Sequence, residues 1–142
     1  HWLRRSRLVA RGYNFLDTRE DVYAPASNSI CNRLLPAVIM SELCGDTAIM
    51  GAFDISDAYL QIDQPTPKKI CIIDRPDANY IIHMCLPGQR DGARRWYDHF
   101  SSFVQTDLGC EICAEVPSLF KLPDDKGFLL AHVDDVLFAI NE

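Results

Sequence analysis

The sequence predicts an α+β fold in which an antiparallel sheet is backed by helices. Two segments repeat apolar residues at helical spacing, and several shorter apolar segments are bounded by Pro, Asp or Gly. These elements follow the order helix, strand, strand pair, helix, strand pair and a last strand. With 142 residues, of which 48% are hydrophobic and 24% are charged, the chain suits one domain, or a piece of one, that buries a core.

The helical periodicity predicts helices over residues 28–43 and 91–108. Ser27 or Asn28 can cap the first helix, and Pro36 inside it should produce a kink because proline has no backbone N–H. The strands are predicted where short apolar runs end at turn-forming residues. They cover residues 48–55, 69–73, 79–85, 117–122, 128–133 and 136–140.

The net charge of −6 is unfavourable for a nucleic-acid-binding protein, because contacts to phosphates need Lys and Arg. Half of the 14 basic residues nevertheless fall into two clusters that can bind phosphates locally. The alternative is that they are ordinary solvated arginines. The clusters are Arg4, Arg5, Arg7 and Arg11, and then Arg90, Arg94 and Arg95.

The six cysteines predict reduced, mostly buried thiols. Cys110 and Cys113 form a C-x-x-C pair, but a zinc site needs a second pair of ligands, and the histidines are scattered singly. The start of the sequence lacks the apolar stretch of a secretory signal, and no apolar run reaches the roughly 20 residues that cross a bilayer. We therefore expect neither a disulfide framework nor a membrane partner.

The segment 128–140 contains an acidic pair between two apolar strands. Adjacent carboxylates repel each other and are costly to bury without a cation, so Asp134 and Asp135 at a hairpin tip suit a divalent metal ion. From this pair alone, a metal site and a solvated turn both remain open. Asp124 and Asp125 lie in a turn rich in Pro, Lys and Gly, and we predict that they face water.

A second acidic stretch begins at Asp54, which ends a predicted strand. Mg²⁺ takes few protein carboxylates and leaves room for substrate phosphates. Asp54 on one strand and Asp134 on a hairpin can therefore bridge two such ions, which would activate a 3′-hydroxyl and stabilise a pyrophosphate leaving group.

Both acidic stretches resemble motifs of reverse transcriptases. Val133-Asp134-Asp135 is similar to the Tyr-x-Asp-Asp signature, and residues 53–59 are similar to the first catalytic-aspartate segment. Further stretches resemble the Ty1/copia retrotransposon group, and they run in that family's order from about Arg7 to Ile140. They are Arg7-Leu-Val-Ala-Arg-Gly-Tyr13, similar to Arg-Leu-Val-Ala-Lys-Gly; Tyr23-Ala-Pro-Ala26, similar to Phe-Ser-Pro-Val; Leu86-Pro-Gly-Gln-Arg-Asp-Gly-Ala-Arg-Arg-Trp-Tyr97, similar to Leu-Tyr-Gly-Leu-Lys-Gln-Ala-Pro-Arg-Ala-Trp-Tyr; and Val116-Pro-Ser-Leu-Phe120, similar to Asp-Pro-Ser-Leu-Phe.

The resemblance implies a two-metal polymerase site. Asp54 and Asp134 would hold two Mg²⁺ ions, for which Mn²⁺ can substitute, and Asp135 would complete the acidic, metal-binding turn. The backbone N–H of Asp57 would contact the incoming triphosphate. Tyr59 occupies the aromatic position that excludes a ribose 2′-hydroxyl, and a core tyrosine is the alternative.

The resemblance also implies contacts to nucleic acid elsewhere in the chain. Gly88, Gln89 and Arg90 lie in the segment that packs on the nascent base pair and the template. Arg7 and Arg11 belong to the fingers, where arginines meet phosphates.

Some departures from the family motifs fall at or near the expected site. His132 replaces Tyr, whereas Asp91 and Ala93 replace Gln and Pro. An acidic group therefore appears near the expected position of the template.

The implied fold is an α+β polymerase fragment. An antiparallel, ferredoxin-like palm sheet with packing helices would cover about residues 46–142, and part of the fingers would cover about residues 1–45. The implied function is RNA-directed DNA synthesis from dNTPs on an RNA or DNA primer–template. We expect a Pol polyprotein that also carries integrase and RNase H, with the primer grip and thumb beyond the last residue. The alternatives are a truncated remnant that binds nucleic acid without catalysis, and another two-metal palm enzyme such as a nucleotide cyclase.

Overall fold

The computed structural model describes residues 7–11, 22–27, 29–39, 48–72 and 75–141. These residues form helices and strands in the predicted α+β class, and two short 3₁₀ helices cover Ala58–Gln61 and Pro123–Asp125. In chain order the main elements are α1 (Ser29–Ile39), β1 (Ile49–Asp54), β2 (Asp63–Ile72), β3 (Arg75–Met84), α2 (Gly92–Thr106), β4 (Glu111–Ile112), β5 (Leu119–Lys121), β6 (Gly127–His132) and β7 (Asp135–Ile140).

Five strands form one antiparallel sheet in the order β1-β7-β6-β5-β4. The last strand of the chain therefore lies between β1 and β6. β2 and β3 form a separate antiparallel hairpin. A two-residue loop joins β6 to β7, whereas β1 and β7 are far apart in the sequence.

One face of the five-stranded sheet is covered by α1. The register places Ala52, Leu137 and Leu130 in one row across β1, β7 and β6. Ala139, two residues along β7, lies on the same face. Leu35 of α1 is buried in one hydrophobic cluster with Leu130 and Ala139. Full burial of a large apolar side chain in such a cluster contributes about 1.5–3 kcal/mol.

The opposite face of this sheet packs against α2. Phe120, Leu129 and Phe138 form a row on that side, and the rings of Phe100 and Phe120 meet edge to face with their centroids 5.7 Å apart. Gly51 continues the row on β1, where a Cβ atom would collide with the ring of Phe138. The missing side chain therefore lets this ring lie close to the strand.

Both predicted helices are present, although α2 is slightly shorter than predicted. α2 falls within the predicted range 91–108, and α1 contains Pro36 and continues through it to Ile39. Residues 40–43, which the prediction included in the first helix, lie outside the described residues.

The strands differ more from the prediction. β2 begins at Asp63 and β3 at Arg75, several residues before the predicted starts, because a hairpin ladder joins backbone groups and does not require apolar side chains. β4 was not predicted, since two residues carry no periodicity that a sequence pattern can detect.

The chain divides into two compact units that do not follow chain order. Unit 1 contains residues 1–23 and 57–96, and unit 2 contains residues 24–56 and 97–142. The five-stranded sheet and α1 belong to unit 2, whereas the β2–β3 hairpin belongs to unit 1. The division into fingers and palm near residue 45 stays a prediction.

Within the part of the chain that the structure describes, no helix is long and apolar enough to cross a membrane. Burial is confirmed for Cys85 and Cys110, whereas Cys31 and Cys113 are only half-buried. Burial raises the pKa of the Cys110 thiol above its ordinary value. Cys44 lies outside the described residues, as does the side chain of Cys71. Among the described residues, Cys31, Cys85, Cys110 and Cys113 form no disulfide.

Candidate active site

The acidic residues of the two motifs meet at one end of the five-stranded sheet. Asp54 is the last residue of β1 and pairs with Asp135, the first residue of β7. Asp135 pairs on its other side with His132, the last residue of β6. Directly opposed residues of antiparallel strands lie on the same face, with Cβ atoms about 4.5–5.5 Å apart. The register therefore aligns His132, Asp135 and Asp54 in one row.

Asp134 lies with Val133 in the loop that joins β6 to β7. Val133 has a φ of 58°, a left-handed conformation that is rare for a β-branched residue. A positive φ at the first residue of a two-residue hairpin loop is usually adopted by glycine or asparagine. The N–H of Ile55 donates to the carbonyl oxygen of Asp134 at 2.8 Å, which fixes the loop to the end of β1.

The three carboxylates are exposed, and those of Asp54 and Asp135 oppose each other as like charges. Such a cross-strand pair is destabilising, and a cation between the two groups would remove the repulsion. Carboxylate oxygens are the ligands that Mg²⁺ prefers, so the donor set fits this ion. Among the described residues, no three His, Cys, Asp or Glu side chains are already arranged to hold a metal ion.

His132, which occupies the Tyr position of the family motif, contacts Ser27, which lies two residues before α1. Its Nδ1 lies 3.0 Å from Oγ of Ser27. The hydroxyl of Ser27 is therefore directed to His132, and Asn28, the other predicted cap, lies outside the described residues. A cavity of about 310 Å³ adjoins this pair, and Asn32 and Asp135 complete its polar lining.

Asp57 and Tyr59 belong to unit 1. Asp57 is exposed with a φ of 53°, and its carbonyl oxygen accepts a hydrogen bond from the N–H of Leu60 at 2.8 Å. The half-buried ring of Tyr59 packs on Gly92, where a Cβ atom would lie 3.2 Å from Cε1. This contact places the ring but does not decide between a sugar-selecting and a core role, which stay alternatives.

Gly88 occupies a turn that contacts the start of the chain. Its φ is +85°, and a Cβ atom would collide with the carbonyl oxygen of Ala10, so only glycine fits. The N–H of Ala10 donates to the carbonyl oxygen of Pro87 at 2.8 Å. Arg7 and Arg11 flank this contact and are exposed, which a phosphate contact requires.

The side-chain oxygen of Gln89 is occupied by donors from unit 1. It accepts hydrogen bonds from Nε2 of Gln64 at 2.8 Å and from the thiol of Cys85 at 3.2 Å. Arg90, the next residue, is half-buried. A contact of Gln89 and Arg90 with the template stays a prediction.

The side chains of Arg94 and Arg95, at the start of α2, bind to other groups of unit 1. Nη2 of Arg95 lies 2.9 Å from Oδ2 of Asp91, and Nη1 donates to Oε1 of Gln64 at 2.9 Å. Nη1 of Arg94 donates to the carbonyl oxygen of Tyr23 at 3.4 Å. Phosphate binding and a solvated helix face were the predicted alternatives. The contacts of Arg95 show that it is not simply solvated, and phosphate binding stays a prediction. The acidic group at Asp91 is ion-paired.

Among the predicted site residues, the structure brings Asp54, Asp134 and Asp135 together in unit 2. Arg4 and Arg5 of the first basic cluster lie outside the described residues. The remaining predicted residues belong to unit 1. They are Arg7, Arg11, Asp57, Tyr59, Gly88, Gln89 and Arg90.

Sequence reasoning missed Ser27, as a partner of His132, and Gln64. Ser27 precedes a helix, where a serine is first interpreted as a cap. Gln64 lies in a polar segment with no periodicity. The departure from the family motif at residue 132 is the one signal that singles out this part of the site.

The acidic pair Asp124 and Asp125 provides a comparison. Both residues are exposed, as predicted, and Asp125 forms an ion pair with Lys121. This pairing raises the pKa of Lys121 through its hydrogen bond and charge interaction with Asp125. This acidic doublet in a solvated turn therefore has a cation available within the chain.

Comparisons of the chain with protein-family models, with curated proteins and with solved structures found no match. The family resemblance therefore rests on the order of the sequence motifs, and the function is argued from the site.

Proposed function

We propose that the chain is the palm, with part of the fingers, of an RNA-directed DNA polymerase of the Ty1/copia retrotransposon type. The observation that carries the proposal is the cross-strand pair of Asp54 and Asp135, with Asp134 in the adjoining hairpin loop. These residues come from motifs that are far apart in the sequence, so a local turn preference does not account for their meeting. The order of the motifs supports a polymerase over a nucleotide cyclase. A cyclase would leave the opening Arg7-Leu-Val-Ala segment unexplained.

The carboxylates would supply the ligands of the catalytic ions. Asp54 and Asp134 would hold two Mg²⁺ ions, or Mn²⁺ in their place, and Asp135 would complete the set. When bound, the two ions would activate the primer 3′-hydroxyl and stabilise the leaving pyrophosphate. The hydrogen bond from Ile55 to Asp134 holds the loop against β1. Such positioning is the main contribution that a protein makes to phosphoryl transfer.

The residues of unit 1 would bind the substrates. The N–H of Asp57 would contact the triphosphate of a dNTP, and Tyr59 would lie against its sugar. Residues 88–90 would pack on the nascent base pair and the template, and the exposed arginines within residues 7–11 would contact phosphates. The partners are then a primer–template and, in a Pol polyprotein, integrase and RNase H.

Binding of Mn²⁺ to the chain, followed by electron paramagnetic resonance, tests the metal site. Asp54→Asn and Asp134→Asn should each weaken binding by about tenfold or more, a loss of at least ~1.4 kcal/mol. Asp124→Asn is the matched control, because it makes the same charge change in an exposed acidic turn. Equal affinity in the wild type and all three variants would overturn the proposal.

Primer extension distinguishes the polymerase from a remnant that only binds nucleic acid. The longer protein that the resemblance implies should extend a DNA primer on an RNA template in Mg²⁺, and Asp134→Asn should abolish extension without weakening primer–template binding. Binding without extension in the wild type would instead identify the remnant.

A further inference from the structure

A buried polar network in unit 1 centres on Gln64, which is 7% exposed. Its Nε2 donates to the backbone oxygen of Met84 at 3.1 Å and to Oε1 of Gln89 at 2.8 Å. Its Oε1 accepts a hydrogen bond from Nη1 of Arg95 at 2.9 Å. Both the amide nitrogen and the amide oxygen are therefore used, and a buried amide that is satisfied in this way has one preferred orientation.

From Gln64 the network reaches both ends of the turn that joins β3 to α2. Arg95 continues it to the ion-paired Asp91 at the start of α2. Gln89 continues it to the thiol of Cys85, which follows β3 and is 0% exposed. One side chain of β2 thus connects the end of β3, the turn and the first residues of α2.

The same junction packs against the ring of Tyr59. A Cβ atom on Gly92 would lie 3.2 Å from Cε1 of Tyr59 and 3.4 Å from Sγ of Cys85, so there is little spare space between these groups. The position of the ring therefore depends on the backbone at Gly92, which lies between two members of the network, Gln89 and Arg95.

We propose that Gln64 is a positioning residue that holds segment 85–92 against the ring of Tyr59 and thereby sets the sugar selectivity of the polymerase. The selectivity step rests on the proposed function, because Tyr59 selects a sugar only during nucleotide incorporation. The holding of the segment is a property of unit 1 and does not require activity. Gln64 acts through Tyr59 and needs no contact with the substrate.

Gln64→Glu is the most informative variant, because it keeps the shape of the side chain. A carboxylate has no N–H to donate, so it would face the oxygens of Met84 and Gln89 without hydrogen bonds while keeping Arg95 as a partner. Gln105→Glu is the matched control. Gln105 is exposed, and its amide donates to the carbonyl oxygen of Ser101 within α2.

Alkylation of the purified chain, mapped by mass spectrometry, tests the holding step. Gln64→Glu should raise the alkylation rate of Cys85 by about tenfold or more, the effect of a ~1.4 kcal/mol easier local opening. Cys110, which is buried in unit 2, should react at its wild-type rate. Gln105→Glu should change neither rate. An unchanged rate at Cys85 in Gln64→Glu would overturn the proposal.

A higher alkylation rate at both Cys85 and Cys110 would mean that the variant unfolds. The holding step is then tested in the wild-type chain. In nuclear magnetic resonance spectra, the side-chain amide protons of buried Gln64 should exchange with water much more slowly than those of exposed Gln105. Equal exchange rates would overturn the proposal.

The selectivity step is tested in the longer, active protein. Gln64→Glu should reduce discrimination against ribonucleotides, and adding it to Tyr59→Val should cause no further loss, because the two residues act through one contact. Unchanged selectivity, or additive losses, would overturn this step. An inactive longer protein would overturn the proposed function, whereas the positioning role of Gln64 would be judged by the alkylation of Cys85.

Discussion

Replacement of Asp135 by Asn is expected to stabilise the metal-free protein. Asp54 and Asp135 oppose each other across β1 and β7, and both are exposed. Asn keeps the shape of the side chain and the strand pairing, and it removes one of the two charges. Two unit charges about 5 Å apart repel each other by about 0.8 kcal/mol in water. Because the groups are exposed, physiological salt should reduce this to about 0.4 kcal/mol.

Urea denaturation followed by tryptophan fluorescence measures the change in the free energy of unfolding. At low ionic strength Asp135→Asn should unfold with a free energy about 0.8 kcal/mol above that of the wild type, and 1 M NaCl should remove most of the difference. Asp124→Asn is the control, since Asp124 has a φ of 57° that Asn also tolerates. It should leave the free energy of unfolding nearly unchanged.

Magnesium should reverse the order of stability. An ion that binds the wild type with a Kd of ~1 mM adds about 1.4 kcal/mol at 10 mM MgCl₂. Asp135→Asn should gain much less, because it has lost a ligand. An equal gain in both proteins, or a metal-free wild type that is more stable than the variant, would refute the view that these carboxylates form a cation site.

Substitutions and labelling in other regions test further contacts. In the longer protein, Tyr59→Val should relax discrimination against ribonucleotides while dNTP incorporation continues, and unchanged selectivity would identify a core tyrosine. Gly88→Ala should lower the free energy of unfolding by more than ~1 kcal/mol, because of its positive φ and the carbonyl oxygen of Ala10, and an unchanged urea midpoint would contradict this. Iodoacetamide should modify Cys110 more slowly than Cys113 at pH 8, because burial raises the pKa of Cys110, and the gap should narrow as the pH rises toward that raised value.

The elements that could be predicted from the sequence are those defined by local pattern. Apolar spacing over residues 91–108 specifies one face of α2, and apolar runs on both sides of Asp134 specify the β6–β7 hairpin. The pairing of Asp54 with Asp135 is different, because β1 and β7 are distant in the sequence. A local pattern in one strand does not identify a distant strand as its partner. The two segments were connected in advance by the chemistry of a shared metal site and by the family resemblance, and neither is a local pattern.

The start of β2 and its polar contacts could not be predicted. Pro65 and Pro67 are unfavourable in a strand, but they fall in an irregular part of the ladder, between the paired residues Asp63 and Lys68. The partners of Gln64 come from a turn and a helix later in the chain, so they depend on tertiary structure. A single polar residue carries no pattern that identifies such partners.

The two-residue loop between β6 and β7 also bears on the order of folding. This hairpin closes locally, on a timescale of microseconds. The ladder between β1 and β7 must instead close a loop of roughly eighty residues, which costs roughly 2–3 kcal/mol more in chain entropy. We therefore expect Asp134 and Asp135 to be in place before Asp54 joins them. Metal binding during refolding would then report the long-range closure of the chain and not its initial collapse.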